Sequence, residues 1–232
     1  MKTIGLIGGM SWESSTEYYR IINEEVRDRL GKLHFAQSLM YSVDFAEKLQ
    51  REGRREGRRK EATESMVDAA RRLEKRGADF LVICANTMHK MADEVQSCVA
   101  IPLLHVVDAT AESVKGRGLE TVGLLGTRFM MEEDLYRGRL ARKHGLEVRV
   151  PEALDRERVH RVIFDELVAG ELRQESKADL LRIIDGLIAR GAKGIILGCT
   201  EIPLLIKGGD CSIPIFDTTR IHARAAVEMA LA

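Results

Sequence analysis

Thr3-Ile4-Gly5-Leu6-Ile7-Gly8 is written almost unchanged a second time as Thr121-Val122-Gly123-Leu124-Leu125-Gly126, at an offset of 118 residues. Each copy is a short apolar run closed by Gly, then a polar turn, then an amphipathic stretch. Arg76-Gly77-Ala78-Asp79-Phe80-Leu81-Val82-Ile83 pairs likewise with Arg190-Gly191-Ala192-Lys193-Gly194-Ile195-Ile196-Leu197, at an offset of 114. Ile101-Pro102-Leu103-Leu104 pairs with Ile213-Pro214-Ile215-Phe216, at an offset of 112. One such match arises easily by chance. Three in the same order, drifting as small loop deletions would make them drift, predict an internal duplication.

The short apolar runs read as strands buried on both faces. After the first, Ser14 and Glu17 have capping-box spacing, and Tyr18, Ile21, Ile22 and Val26 form one helical face. Tyr136 recurs at the offset of Tyr18. Gly77 and Gly191 each close a predicted helix that feeds a strand. Strand and helix signals alternate through both halves, so the fold class is α/β, with two doubly wound parallel-sheet domains of roughly 110 residues each. Two such domains facing each other make a cleft, and ligands of these sheets bind beyond the carboxyl ends of the strands.

Composition narrows the function. The 232 residues are 45% hydrophobic and 31% charged, an ordinary globular balance, and 36 Lys+Arg match 36 Asp+Glu. Nucleic-acid binders carry a basic excess because phosphate neutralisation supplies most of their affinity, so that class is disfavoured. The charged run at 51–61 mixes both signs without aromatics and reads as a solvated loop and helix start. No apolar run approaches the ~20 residues of a membrane span, and 4–7 is too short for a signal-peptide core. Cys84, Cys98, Cys199 and Cys211 show no C-x-x-C and no metal-ligand spacing. Free thiols without a secretion signal predict a reducing compartment, the cytoplasm.

The repeat also predicts where chemistry sits. At an offset of 114, Cys199 corresponds to Ala85, Thr200 to Asn86 and Glu201 to Thr87. Both tripeptides follow a buried strand and precede a predicted helix, at 88–95 and at 202–206 with Pro203 in its first turn. A helix start offers N–H donors and lowers a thiol's pKa, so Cys199 is expected as a thiolate. A lone cysteine at a strand end is more often a small buried hydrophobe, and Cys98 and Cys211 are read that way. Cys84, next to Ala85, is expected to point to the opposite face of its strand. His89, His105 and His222 have no ligand spacing and read as helix-surface or satisfied core residues. The turn Gly5-Leu6-Ile7-Gly8-Gly9 is not G-x-G-x-x-G and no Walker-type lysine follows, which disfavours a nucleotide-binding module.

MKTIGLIGGMSWESSTEYY at 1–19, ICANTMHKMAD at 83–93 and LGCTEIPLL at 197–205 together resemble the aspartate/glutamate racemase family. The likeness is nearest to its bacterial branch specific for L-aspartate and L-glutamate, and it runs through SVDF at 42–45, IFDEL at 163–167 and PIFDTT at 214–219. It implies two domains related by a pseudo-twofold axis, 1–104 plus 217–232 and 105–216, with the active site in the cleft between them. It implies a homodimeric, cofactor-independent racemase of a small amino acid, using neither pyridoxal phosphate nor metal. Two residues then flank the substrate Cα; one removes its proton and the other returns one from the far side.

By motif, Cys199 carries over as one of those bases. Met10, Gln50, Asn86, Thr87, Thr200 and Glu201 carry over as pocket residues, and Arg51 is a candidate partner for a substrate side-chain carboxylate. At the other base the family has Cys or Thr, whereas this chain has Ala85, whose methyl neither gives nor takes a proton. Three readings stay open. The chain is a variant altered to trap its substrate, or an enzyme pairing Cys199 with Thr87, Cys84 or water, or an amino-acid-binding relative with impaired catalysis. A single-cysteine decarboxylase of the arylmalonate type is the competing enzyme class.

Overall fold

The computed structural model describes the backbone of residues 1–44 and 55–232, and the side chains of 1–44, 59–134 and 136–232. Its repeated apolar runs become strands. β1 (Ile4–Gly8), β2 (Ser38–Ser42), β3 (Phe80–Ile83) and β4 (Leu103–Leu104) form one parallel sheet in the order β2-β1-β3-β4. β5 (Thr121–Leu125), β6 (Glu147–Arg149), β7 (Ile195–Leu197) and β8 (Ile215–Asp217) form a second in the equivalent order β6-β5-β7-β8. The duplication read from the sequence is therefore a duplication of topology. The chain divides into two compact units, Met1–Val106 with His222–Ala232, and Val107–Ile221.

In the first unit, α1 (Trp12–Leu30) and the second half of α10 (Thr218–Leu231) cover one sheet face. Tyr18, Ile22 and Val26 from α1 meet Ala223, Ala226 and Val227 from α10 over Ile4, Leu6, Phe80 and Val82. On the other face, α2 (Arg55–Lys75) and α3 (Ala92–Gln96) bring Met66, Ala70, Leu73 and Val95 against Ile7, Leu81 and Ile83. Strand residues alternate between these two cores, as a period of two demands. Because both faces are covered, β1 and β3 read as unbroken apolar runs.

The second unit holds α4 (Val106–Lys115, entered from the first unit), α5 (Arg128–Glu132), α6 (Asp134–His144), α7 (Ala153–Arg161), α8 (Gln174–Ala189) and α9 (Ile202–Leu205). Leu180, Ile183, Ile184 and Leu187 of α8 pack on Leu125, Ile195 and Leu197. Tyr136, the counterpart of Tyr18, is likewise buried, with its hydroxyl 3.2 Å from Thr110 Oγ1.

Two local expectations are corrected. α1 is capped by Ser11, whose side chain accepts from the Ser14 N–H, so Ser14 and Glu17 are not its capping box. The cap lies three residues earlier because the turn after β1 is shorter than the spacing suggested. Instead of one helix over 88–95, a 3₁₀ turn (Thr87–Met91) precedes α3. The helix expected over 202–206 is present as the single turn α9, with Pro203 at its start. Arg59, Lys60 and Glu61 of the charged run are exposed on α2, as expected of a solvated face. No described helix is long and apolar enough to cross a membrane.

Candidate active site

In each unit the chain order reverses between two neighbouring parallel strands, β1 and β3 in the first and β5 and β7 in the second. Loops leaving the carboxyl ends of such a pair open a crevice, which is where sheets of this kind hold ligands. Ile7 pairs with Ile83 and Leu125 with Leu197. The next residue makes the same bond in both units: Cys84 N–H donates to the Ile7 carbonyl at 2.9 Å, and Gly198 N–H to the Leu125 carbonyl at 2.7 Å. Register therefore makes Cys84 equivalent to Gly198, and Ala85 to Cys199. The correspondence inferred from the offset of 114 holds in three dimensions.

The turn after β1 carries Met10. Gly9 has φ of +87°, and a Cβ there would collide with the backbone O and N of Val43. Only glycine lets this turn lie against the end of β2. Gly9 N–H donates to Ser15 Oγ at 2.9 Å, and Met10 packs partly buried on the core beside α2. After β3 come Ala85, half-buried, Asn86, buried, and Thr87, half-buried at the start of the 3₁₀ turn. Gln50 and Arg51 lie outside the described residues.

Cys84 is fully buried in the core with Tyr18, Phe80 and Ala223. Burial pushes its thiol far above the ordinary range. It is a core residue and is removed from the candidate bases.

In the second unit, Gly198 lets Met130 pack against the strand end, since a Cβ there would meet the Met130 Sδ. Cys199, Thr200 and Glu201 follow, all half-buried. The Cys199 thiol donates to Glu201 Oε2 at 2.7 Å. Its pKa is raised well above the usual value, first by burial and then by the Glu201 carboxylate. Both causes favour the thiol over the thiolate that the helix start alone leads one to expect. A one-turn helix supplies little dipole, and a neighbouring anion that accepts the S–H stabilises the neutral form.

Two buried side chains, Ser14 and the His89 read as a surface or satisfied core residue, hold the backbone at this strand end. Ser14 Oγ donates to the Cys84 carbonyl at 2.8 Å, and His89 Nδ1 lies 2.9 Å from the Ala85 carbonyl oxygen. Histidine four residues after position 85, on the first turn after a strand, was the available signal. His89, His105 and His222 are all buried, with ring centroids 4.8 Å apart for the first two and 5.3 Å for His89 and His222. Among the described residues, no three His, Cys, Asp or Glu side chains are arranged to hold a metal ion.

A profile described as Asp/Glu/hydantoin racemase matches residues 7–226. The chain belongs to that family. A crystal structure of a Yersinia pestis protein assigned as an Asp/Glu racemase is 49% identical, superposes with a TM-score of 0.95, and is matched over 100% of both chains. An aspartate racemase homologue from Pyrococcus horikoshii OT3 is 39% identical with a TM-score of 0.89, again over 100% of both chains. Among curated proteins, the broad specificity amino-acid racemase RacX of Bacillus subtilis strain 168 is 25% identical over 179 residues, 74% of each chain. The two parallel-sheet units are those of the two-domain Asp/Glu racemase fold.

Proposed function

We propose that the chain is a cofactor-independent amino-acid racemase of the aspartate/glutamate type, with Cys199 as its one thiol base. The observation that carries this reading is the Cys199–Glu201 pair at 2.7 Å, placed just beyond the carboxyl end of β7. Glu201 takes the thiol proton, and the resulting thiolate removes the Cα proton from one face of the substrate. The electron pair left on Cα is delocalised into the substrate carboxylate. Backbone N–H groups and the hydroxyls of Thr87 and Thr200 stabilise that charge. Met10, Gln50 and Asn86 complete the pocket.

Position 85 is the equivalent of Cys199 in the other unit, the position to which the family likeness gives the second base. Ala85 cannot return a proton there, and with Cys84 in the core the donor is the Thr87 hydroxyl or a water molecule. The names of the relatives point to aspartate, glutamate or a broader range of amino acids. A homodimer is part of this reading on the family likeness, and a cytoplasmic location on the free cysteines.

The experiment is incubation with L- and D-aspartate, L- and D-glutamate and a panel of neutral and basic amino acids in deuterated water. Deuterium at Cα with appearance of the other enantiomer is the expected result. Release of CO2 from a malonate, with no Cα exchange in any amino acid, would instead support the decarboxylase. Binding of an amino acid without exchange would support the impaired relative.

A further inference from the structure

The carbonyls on both sides of residue 85 are held by buried side chains. Ser14, 4% exposed, donates through Oγ to the Cys84 carbonyl at 2.8 Å. His89, 2% exposed, approaches the Ala85 carbonyl with Nδ1 at 2.9 Å. On its other side, His89 Nε2 receives the Val106 N–H at 3.2 Å. A backbone N–H can only donate and a carbonyl can only accept. These two bonds therefore fix His89 as the neutral tautomer with the proton on Nδ1, and both ring nitrogens are spent on backbone. His89 is not free to move protons for a substrate.

Its effect is geometric. The Cys84 carbonyl lies in the peptide plane before the residue-85 Cα, and the Ala85 carbonyl in the plane after it. Peptide planes are rigid, so holding both fixes φ and ψ at residue 85 and with them the direction of its Cα–Cβ bond. The brace is anchored in turn. Val106 lies two residues past the end of β4, and His222 Nε2 donates to the Leu104 carbonyl at 3.0 Å while its Nδ1 accepts from the Tyr18 hydroxyl at 2.9 Å. His89 thereby ties the end of β3 to that of β4, and His222 ties the end of β4 to α1, all inside one unit.

We propose that His89, assisted by Ser14, is a positioning residue that aims the side chain at position 85. The proposal rests on the reading of that position as the one that carries the second base. It also accounts for a loop that remains braced on both sides although the residue it carries is a mere methyl.

The test compares His89→Leu, which keeps neither polar function, with His89→Gln, which keeps one donor and one acceptor. Each is made in the unaltered chain and together with Ala85→Cys. Amide hydrogen exchange at Val106 is expected to quicken at least about tenfold with His89→Leu and to stay near the parent rate with His89→Gln. In the Ala85→Cys chain, His89→Leu is expected to lower kcat at least about tenfold with KM within about twofold, and His89→Gln to recover most of the loss. Ser14→Ala, a smaller change, lowers kcat in the same direction.

Unaltered Val106 exchange in His89→Leu would overturn the brace. Equal kcat losses in the Leu and Gln variants, or KM rising in step, would reduce His89 to a packing residue and overturn the proposal. If Ala85→Cys racemises nothing while Val106 exchange responds as expected, the reading of position 85 is what fails, and the brace stands as structure alone.

Discussion

The Cys199 thiol donates to Glu201 Oε2 across 2.7 Å, a contact that favours the thiol at rest and also gives its proton an acceptor. Burial is the larger cause of the raised thiol pKa, and the carboxylate adds to it by charge and by accepting the S–H. Replacing the carboxylate with an amide removes the charge. Glu201→Gln should therefore shift the alkylation of Cys199, followed on its own peptide by mass spectrometry, to lower pH. The same change should slow Cα exchange, because the thiol loses its proton acceptor. A pH profile identical to that of the parent would mean that Glu201 does not control the thiol.

Ala85 sets a second prediction. A well-placed acid–base group is worth on the order of 100-fold or more in rate. A group grafted into a pocket not adapted to it recovers only part of that. Ala85→Thr and Ala85→Cys are each expected to raise racemisation severalfold, read by a chiral assay of both enantiomers. Equal rates in all three chains would place the second proton donor elsewhere.

How far the sequence disclosed these features depended on whether the cause was local. Ile4 to Gly8 and Thr121 to Leu125 are short apolar strings bounded by glycine, so strand, burial and repeat were all legible in them. Register followed, and with it the equivalence of Ala85 and Cys199. What stayed hidden was set by groups distant in sequence. Ser14 caps nothing and instead reaches a carbonyl 70 residues away. His222 meets the Leu104 carbonyl across 118 residues. The protonation of Cys199 was misjudged because it depends on desolvation and on which way the Glu201 carboxylate turns, and a sequence states neither.

His222 predicts an acid sensitivity of the first unit. Burial pushes its pKa down from 6.5 to about 3. The unfolded chain binds a proton at this residue below pH 6.5, and the folded chain does not until about pH 3. The group's contribution to stability is therefore present above pH 6.5 and is lost as pH falls toward 3. The slope through that window is at most about 1.4 kcal/mol per pH unit. His222→Gln retains a donor for the Leu104 carbonyl and an acceptor for the Tyr18 hydroxyl without titrating. Urea unfolding of both chains between pH 7 and pH 4 should show the parent losing stability relative to the variant. A difference that does not change with pH would show that His222 is not held neutral.

Gly9 and Gly77 separate two costs of placing a side chain at positive φ. Both have a similar positive φ, +87° and +93°. A Cβ at Gly77 has nothing within 4 Å, whereas one at Gly9 meets the backbone O and N of Val43 and Ser42 Oγ. Gly77→Ala should then cost only the conformational strain, about 1 kcal/mol. Gly9→Ala adds a collision with backbone that has no rotamer to retreat into, and is expected to cost about 3 kcal/mol or more. It should also displace Met10, weakening amino-acid binding beyond any loss of stability. Equilibrium urea denaturation measures the first difference, and calorimetric titration with aspartate at a temperature where both variants are folded measures the second. Equal destabilisation by the two substitutions would mean that the turn after β1 yields to a methyl group, and that Gly9 is not what holds it against the end of β2.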